Sequence, residues 1–424
     1  MNDEILGQLE QWFKQDVKSL SIDRDFGKLE QAVMEKMMSL GKGLLQRLVD
    51  AGRNGYRGSS IPCSCGQTMH FIQHRPRALH SLFGWITVKR AYYHCPDCRS
   101  SSAPYDVASG LGSEQLSPGL AKACCMLAVD DSFEQTSRKI EGLIGQKVSD
   151  NTVERVVQKV GSVVAERQDQ QLQEFFDHRH IPEAQTETDR LYVAVDGTTA
   201  HEVDGWHEAK VSTIYWENER GEPVSRFVGR FDHSATFGWH VWLEACRCGL
   251  RHSDEVVYLG DGAGWIRNEH HRHFGRATFI IDWYHACEHL WDCGKKLFGE
   301  GTQQAADWVD ERLGWLEEGY TRRLLDNLRQ EAKSYRRDKK EAIESLYDYI
   351  ETNEQAMRYD VFRAQGYDIG SGAVEGACKH VVGKRLKQSG MIWTRAGSSS
   401  VLALRVTWLN DRWEHLWEEK PLVA

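Results

Sequence analysis

The sequence predicts a mixed α/β core with a helical insertion, preceded by a helical segment, a small cysteine-bearing β module and a helical hairpin. Three observations predict it. Apolar runs at 191–195, 255–260 and 277–281 each lead into an aspartate, as buried strands do when they deliver a polar residue to a sheet edge. Two cysteine pairs, Cys63-Ser-Cys65 and Cys95-Pro-Asp-Cys98, bracket an alternating stretch at 85–93. Much of the rest repeats its apolar residues at helical spacing.

Composition bounds the classes. The chain has 424 residues, and at roughly 100–200 residues per domain that allows two to four domains. Apolar residues make up 41% and charged residues 27%, which excludes a mainly disordered chain. No apolar run approaches the length of a membrane span, and Met1-Asn2-Asp3-Glu4 starts no secretion signal, so a cytoplasmic protein with no membrane partner is expected. Eleven cysteines in that setting read as buried or metal-bound thiols. The net charge of −9 argues against a general polyanion binder unless positive charge is gathered locally.

The elements follow in order. Residues 1–58 form a helical segment, with Ile5, Leu9, Trp12 and Phe13 and then Leu29, Val33, Met37, Leu44 and Leu48 on apolar faces; packing or self-association explains them. Residues 59–106 form a zinc-ribbon-like module: Cys63, Cys65, Cys95 and Cys98 suit a closed tetrahedral Zn²⁺ site. His70, His74 or His94 could replace one thiolate, and four reduced cysteines are the metal-free alternative. Within 71–99, Arg75, Arg77, Lys89, Arg90 and Arg99 against Asp97 alone make this module a candidate nucleic-acid surface.

Residues 107–185 are helical. Ser117-Pro118 starts one helix, a second covers 133–143, and Ser149-Asp150-Asn151 caps a third through Val164. The pair around Gly145 reads either as a helix-turn-helix or as a plain hairpin. In 186–285, strands at 191–196, 209–216 and 224–231 precede a helix at 235–248, a strand at 255–260, a helix at 265–274 and a strand at 277–281. That is an RNase H-like order. Residues 286–367 form a charged helical insertion, and 368–424 return to the core through helices bearing Glu375 and covering 401–417.

Chemistry centres on carboxylates. Asp196 and Asp261 each end an apolar strand and precede a glycine, which leaves room for a metal or phosphate at the backbone. Hard oxygen ligands so placed suit Mg²⁺ or Mn²⁺; the plainer reading is a turn dipeptide after a strand. Glu375, on a helix that Ser371 can cap, heads a segment, 376–405, holding Lys379, Lys384, Arg385, Lys387, Arg395 and Arg405 and no acid. A lone acid before basic residues suits a metal ligand beside a phosphate backbone, although pairing with Lys379 would also satisfy it. Asp282 and His285 are weaker candidates for a metal and a phosphate contact. His285-Ala-Cys-Glu288-His289 also fits the inverted zinc-peptidase signature. The remaining cysteines, Cys378 among them, read as buried thiols.

The motifs Val-Asp196-Gly-Thr, Leu-Gly-Asp261-Gly-Ala, Ile-Asp282-Trp-Tyr-His285-Ala and Gly-Ser-Gly-Ala-Val-Glu375, with Trp393-Thr-Arg395-Ala-Gly downstream, resemble those of the DDE transposases of bacterial insertion sequences, most of all the ISKra-type group. The resemblance covers about 60–424. It implies an RNase H-like core with Asp196, Asp261 and Glu375 as a triad holding two Mg²⁺ or Mn²⁺ ions, and a helical insertion between Asp282 and Glu375. It further implies cleavage of terminal inverted repeats and strand transfer into target DNA. Lys379, Lys384, Arg385, Lys387, Arg395 and Arg90 would contact DNA, a homo-oligomer would assemble on it, and the protein would be cytoplasmic and nucleoid-associated. A nuclease that cuts without joining, a zinc peptidase and a non-catalytic zinc DNA-binding factor are the competing expectations.

Overall fold

The computed structural model describes residues 25–370 and 372–418, with Gly7, Glu10 and Lys14; the first apolar positions expected in the helical segment (Ile5, Leu9, Trp12, Phe13) and the capping residue Ser371 lie outside the described residues. The chain divides into two compact units, Met1–Val164 with Arg412–Ala424, and Ala165–Asp411.

In the first unit, Asp25 caps helix α1 (Phe26–Ala51) by accepting from the amides of Gly27 and Lys28. A four-stranded antiparallel sheet follows in the order β1 (Ser60–Pro62), β2 (Thr68–Ser81), β3 (Gly84–His94), β4 (Ser101–Ser102). Alternation decides which way β3 faces: Ile86, Val88, Ala91 and Tyr93 are buried, while Trp85, Thr87 and Lys89 point outward. Leu79, Ile86, Val88 and Leu111 pack with Leu45 and Val49 of α1. Beyond α2 (Pro104–Ala108) come α3 (Pro118–Ala128), capped by Ser117 with proline at the first turn, and α4 (Phe133–Ile144), closed by a capping box at Ser132/Gln135 and a left-handed Gly145.

Helix α5 (Asp150–His178) runs well past the expected end at Val164. No glycine or proline interrupts 165–178, and Leu172 and Phe175 give the extension an apolar anchor against Leu243. Nothing local stops the helix, so it continues.

The second unit holds a five-stranded sheet. β5 (Arg190–Glu202), β6 (Gly205–Glu217) and β7 (Pro223–Arg230) are antiparallel neighbours. After α6 (Ser234–Arg247), β8 (Glu255–Gly260) pairs parallel with β5; after α7 (Gly264–His273), β9 (Thr278–Ile281) pairs parallel with β8. The strand order is β7-β6-β5-β8-β9. Helices cover both faces, which is why β5 reads as an unbroken apolar run. Leu191, Val193 and Val195 meet Phe237, Val241 and Ile266 on one side; Tyr192 and Ala194 meet the helical segment on the other.

That segment comprises α8 (Trp283–Phe298), α9 (Gln303–Glu317), α10 (Thr321–Glu331), α11 (Asp338–Asn353) and α12 (Tyr359–Ala364). Its buried cation, Arg312, lies over the Trp308 ring at 3.9 Å and donates to Glu331 at 2.9 Å. The chain then returns to the sheet through α13 (Gly372–Ala377), a wider π-helical turn at Cys378–Gly383, α14 (Lys384–Leu386) and α15 (Arg395–Leu409). A Cβ on Gly229 of β7 would lie 2.9 Å from Val381, so the close approach of these helices requires glycine there.

The single helix expected over 401–417 is two, α15 and α16 (Trp413–Glu418). Asn410 causes the break: its side chain accepts from the Phe227 amide at 2.8 Å and donates to the Phe227 carbonyl at 2.9 Å, pinning the helix end to β7. Asp411 then takes a φ of 57°, which turns the chain. Among the described residues, no helix is long and apolar enough to cross a membrane.

Candidate active site

Two of the expected carboxylates lie side by side where β8 ends against β5; Asp261 follows the last residue of β8, but Asp196 does not end its strand as expected, because pairing with β6 carries β5 on to Glu202. Ala194 pairs with Leu259 in the parallel register of β5 and β8, and the same offset sets Asp196 level with Asp261, just beyond the end of β8. Asp196 accepts from its neighbour's amide, Gly197, at 2.7 Å and from the Cys378 thiol at 3.5 Å. Burial pushes the Asp196 carboxyl up from its ordinary value and the Asp261 charge adds to this, while the Gly197 and Cys378 hydrogen bonds and His285 oppose it.

Asp261 accepts from the Ala263 amide at 2.7 Å, and its carbonyl accepts from the Tyr349 hydroxyl at 3.1 Å. Gly262 at φ 85° fits where a Cβ would lie 2.9 Å from Ile281.

Glu375 stands one turn before Cys378 and is exposed, with Lys379 at 3.9 Å. The Cys378 thiol is pushed up by burial first, then by the Asp196 charge, and also by Glu375. Sequence reasoning missed Cys378 as a site residue; its signal was the three-residue offset from Glu375, which puts both on one helical face.

Asp282, buried, caps α8 by accepting from the amides of Tyr284 and His285. His285 sits 3.2 Å from Glu288, and His289 stacks on Tyr349 with ring centroids 3.8 Å apart. Burial, and then His285, lower the His289 pKa. In the H-x-x-E-H motif Glu288 is thus engaged with His285, and the three side chains do not converge as a ligand set among the described residues.

Three groups of side chains do bring ligand atoms within 4.8 Å of one another: the four cysteines, Asp169/Asp232/His240 and Glu202/Asp204/His207. Asp196, Asp261 and Glu375 do not come that close as a set. The second group already surrounds a cation, Arg230, which pairs with Asp169 at 2.6 Å and also with Asp232. In the third, Glu202 accepts from Ser398 at 2.8 Å and meets Arg395 at 3.1 Å.

The cysteine group belongs to the first unit. Turns closed by Cys63 to Gln67 and by Cys95 to Ser100 present the sulfurs, with Cys63–Cys65 at 3.3 Å, Cys63–Cys98 at 3.5 Å and Cys65–Cys95 at 3.8 Å. A tetrahedron with Zn–S bonds of about 2.3 Å has edges of about 3.8 Å, so the set fits a closed Zn²⁺ site. The Ser100 hydroxyl draws the Cys63 thiol down to about 6 and lowers Cys98 as well. Two of the three histidines that could have substituted are engaged elsewhere: His74 with Asn54 at 2.8 Å and His94 with Ser101 at 3.0 Å.

The basic residues sort by burial. Lys384 and Lys387 are exposed, and Lys387 donates to Thr198 at 2.5 Å. Arg395 is exposed beside Glu202 and lies over the Phe231 ring at 4.7 Å. Two expectations are corrected. Arg385 is fully buried, 4.8 Å over the Trp393 ring, and presents no charge at the surface. Arg90 is held at 2.7 Å by Asp106, which also takes Arg77 at 2.9 Å, so its guanidinium is engaged within the module, and the one carboxylate offsets only half of the pair's positive charge. Asp106 lies beyond the 71–99 stretch that carries these basic residues, and only the fold brings it against them.

Residues 66–420 match the profile of a family described as an uncharacterised protein family (UPF0236). The chain is similar to the "UPF0236 protein in vanSb 3'region" of Streptococcus gallolyticus: 23% identical over 351 residues, which cover 80% of this chain and 74% of that protein.

Proposed function

This chain belongs to the UPF0236 family, and we propose that it is a DDE-type DNA transposase that cuts element ends and joins them to target DNA. The observation that carries the reading is the convergence of Asp196 and Asp261 at one sheet edge, with the Cys378 thiol linking Asp196 to the helix of Glu375. Three antiparallel strands followed by two parallel ones, with β5 in the middle, support an RNase H-like core. The helical stretch from α8 to α12 is then the insertion ahead of the Glu375 helix.

In this reading Asp196, Asp261 and Glu375 hold Mg²⁺ or Mn²⁺. The ions would supply an activated water and charge stabilisation at the phosphate. Burial raises the Asp196 carboxyl and the neighbouring Asp261 charge adds a smaller push in the same direction, so a cation placed between the two acids would favour the ionised form. Glu375 is exposed and 3.9 Å from Lys379; in this reading it turns toward the strand aspartates when a cation binds, and an exposed pair of this kind costs little to give up. Lys379, Lys384, Lys387 and Arg395 orient the phosphate backbone. Hydrolysis leaves a 3′-hydroxyl on the element end, and that oxygen then attacks a target phosphodiester, releasing the target's own 3′-oxygen. The four cysteines hold a structural Zn²⁺. Such a protein works on DNA in the bacterial cytoplasm.

The test is incubation of the purified protein with labelled element-end DNA and Mg²⁺, scoring cleavage and joining together. Asp196→Ala, Asp261→Ala and Glu375→Ala should each reduce both by about a hundredfold or more. Wild-type joining in any of the three removes that residue from the triad. Cleavage without joining in the unaltered protein assigns a nuclease instead.

A further inference from the structure

The loop between α10 and α11 gathers positive charge that the fold does not use. Residues 333–340 hold five basic residues and one acid, Asp338. Two of the five are engaged: Lys340 pairs with Glu344 at 3.5 Å, and Lys339 donates to the Leu297 carbonyl at 2.6 Å, which ties the loop to the last turn of α8. Tyr335 packs against the helical core and holds the loop from beneath. The other three, Lys333, Arg336 and Arg337, are exposed, as is Lys296 in the last turn of α8. Among the described residues none of these four forms an ion pair or a side-chain hydrogen bond. The acids closest to them in sequence, Glu300, Asp338 and Glu341, leave them unpaired. Arg337 also takes a φ of 51°, so the loop carries a charged side chain where its backbone favours glycine.

Two helices join this loop to the candidate active site and set the distance between them. α8 and α11 run antiparallel: His289 stacks on Tyr349 at one level, and Leu297 meets Lys339 at another. At 1.5 Å per residue those levels are about 12 Å apart along α8 and about 15 Å apart along α11. The first level touches the site directly, because the Tyr349 hydroxyl donates to the Asp261 carbonyl. Arg336 and Arg337 lie just beyond the second. The unpaired cations therefore stand about 15–20 Å from Asp261. Successive phosphates on one strand of a duplex are about 3.4 Å apart, so this span corresponds to about five base pairs.

We propose that Lys296, Lys333, Arg336 and Arg337 form a separate DNA contact, which holds the phosphate backbone about five base pairs from the bond being cut. The inference rests on the reading of Asp196 and Asp261 as a DNA-cutting site and adds to it the direction in which the duplex leaves that site. Four exposed cations suit a repeating polyanion; a small anion binds where donors converge in a cleft. Since these side chains have no partner to give up, each phosphate they meet releases counterions from the DNA at little cost to the protein.

The test uses the full chain and a labelled element-end duplex, without Mg²⁺ so that binding is read apart from chemistry. Arg336→Ala/Arg337→Ala should weaken binding about tenfold or more near physiological salt and lower the log–log salt slope by about two units. Its thermal melt should match the unaltered protein, because both side chains are exposed. Arg251→Ala is the control: it removes an exposed cation ahead of β8, at the far end of that strand from Asp261, and should change neither quantity. Phosphate-ethylation interference, aligned on the position cut when Mg²⁺ is added, should show a contact about five base pairs away that disappears in the double variant. Unaltered affinity and slope in Arg336→Ala/Arg337→Ala overturn the proposal, as does an equal loss in Arg251→Ala, which would mean general attraction. Interference lost only beside the cut, or more than a helical turn from it, overturns the placement. A chain that binds without cutting removes the catalytic reading and leaves the affinity and slope to judge this contact. A chain that cuts and joins while the double variant binds normally removes this inference alone.

Discussion

Asp196 and Cys378 show how far a single residue can be read. Asp196 was legible because an apolar run leading into Asp-Gly marks a buried strand, but the strand does not end there: β5 runs on to Glu202, and the Glu208 side chain fills the space beside Gly197. Cys378 was not, because its importance lies in a 3.5 Å approach to a residue nearly two hundred positions away. His273 makes the same point for stability. It is fully buried on α7, 3.0 Å from the equally buried Glu269, and burial pulls its pKa down to about 4 and pushes the Glu269 carboxyl up. Both groups are therefore held toward their neutral forms. For His273 the unfolded chain binds the proton near pH 6.5 and the folded chain only near 4, so the unfolded state holds more protons between those values and stability falls as pH drops through that window. His273→Gln should flatten this loss between pH 6.5 and 4. Denaturant melts of both proteins at several pH values check it, and parallel pH dependences would refute it.

At the scale of elements, caps and spacings carried most of the information. Ser117-Pro118, the Ser132/Gln135 box and Gly145 mark helix ends by satisfying backbone groups locally, so sequence alone places them. The ends that went wrong were set from a distance. α5 continued because its extension found an apolar anchor in Leu243, and α15 stopped because Asn410 bonded to β7. The cysteine module combines both kinds of control: knuckle turns give the spacing, and the antiparallel pairing of β1–β4 brings the pairs together. Its small core, Cys63, Met69, Ala91, Tyr93 and Cys95, is too slight to hold the turns by apolar burial alone. The protein is expected to carry one zinc per chain by elemental analysis. Chelation should unfold this module and lower the first thermal transition, while sheet signal from the second unit persists. Cys95→Ser should lose the zinc; zinc retained in that variant would remove Cys95 from the ligand set.

For the whole molecule, the net charge of −9 conceals a sorting of charge by burial. Arg385, Arg405 and Arg312 are interior cations, and Arg90 shares Asp106 with Arg77. Lys384 and Lys387 remain exposed near Thr198 on β5. Two outcomes should separate these classes. Lys387→Ala and Lys384→Ala should each leave thermal stability unchanged and reduce the salt dependence of DNA binding by about one unit of log–log slope. Arg385→Ala should instead cost about 2 kcal/mol or more of folding stability, by emptying the site over Trp393. Equal effects of Arg385→Ala and Lys387→Ala on the salt slope would contradict the sorting. By itself the sequence determined the existence of the second unit's strands, most helix starts, the cysteine spacing and the Asp-Gly pairs at 196 and 261, since each depends on residues within about a dozen positions. Tertiary structure decided that Asp196 stands level with Asp261, that Cys378 reaches Asp196, and which basic residues keep their charge at the surface. Burial and register are properties of the packed chain, and a residue's solvation is fixed by partners the local sequence does not contain.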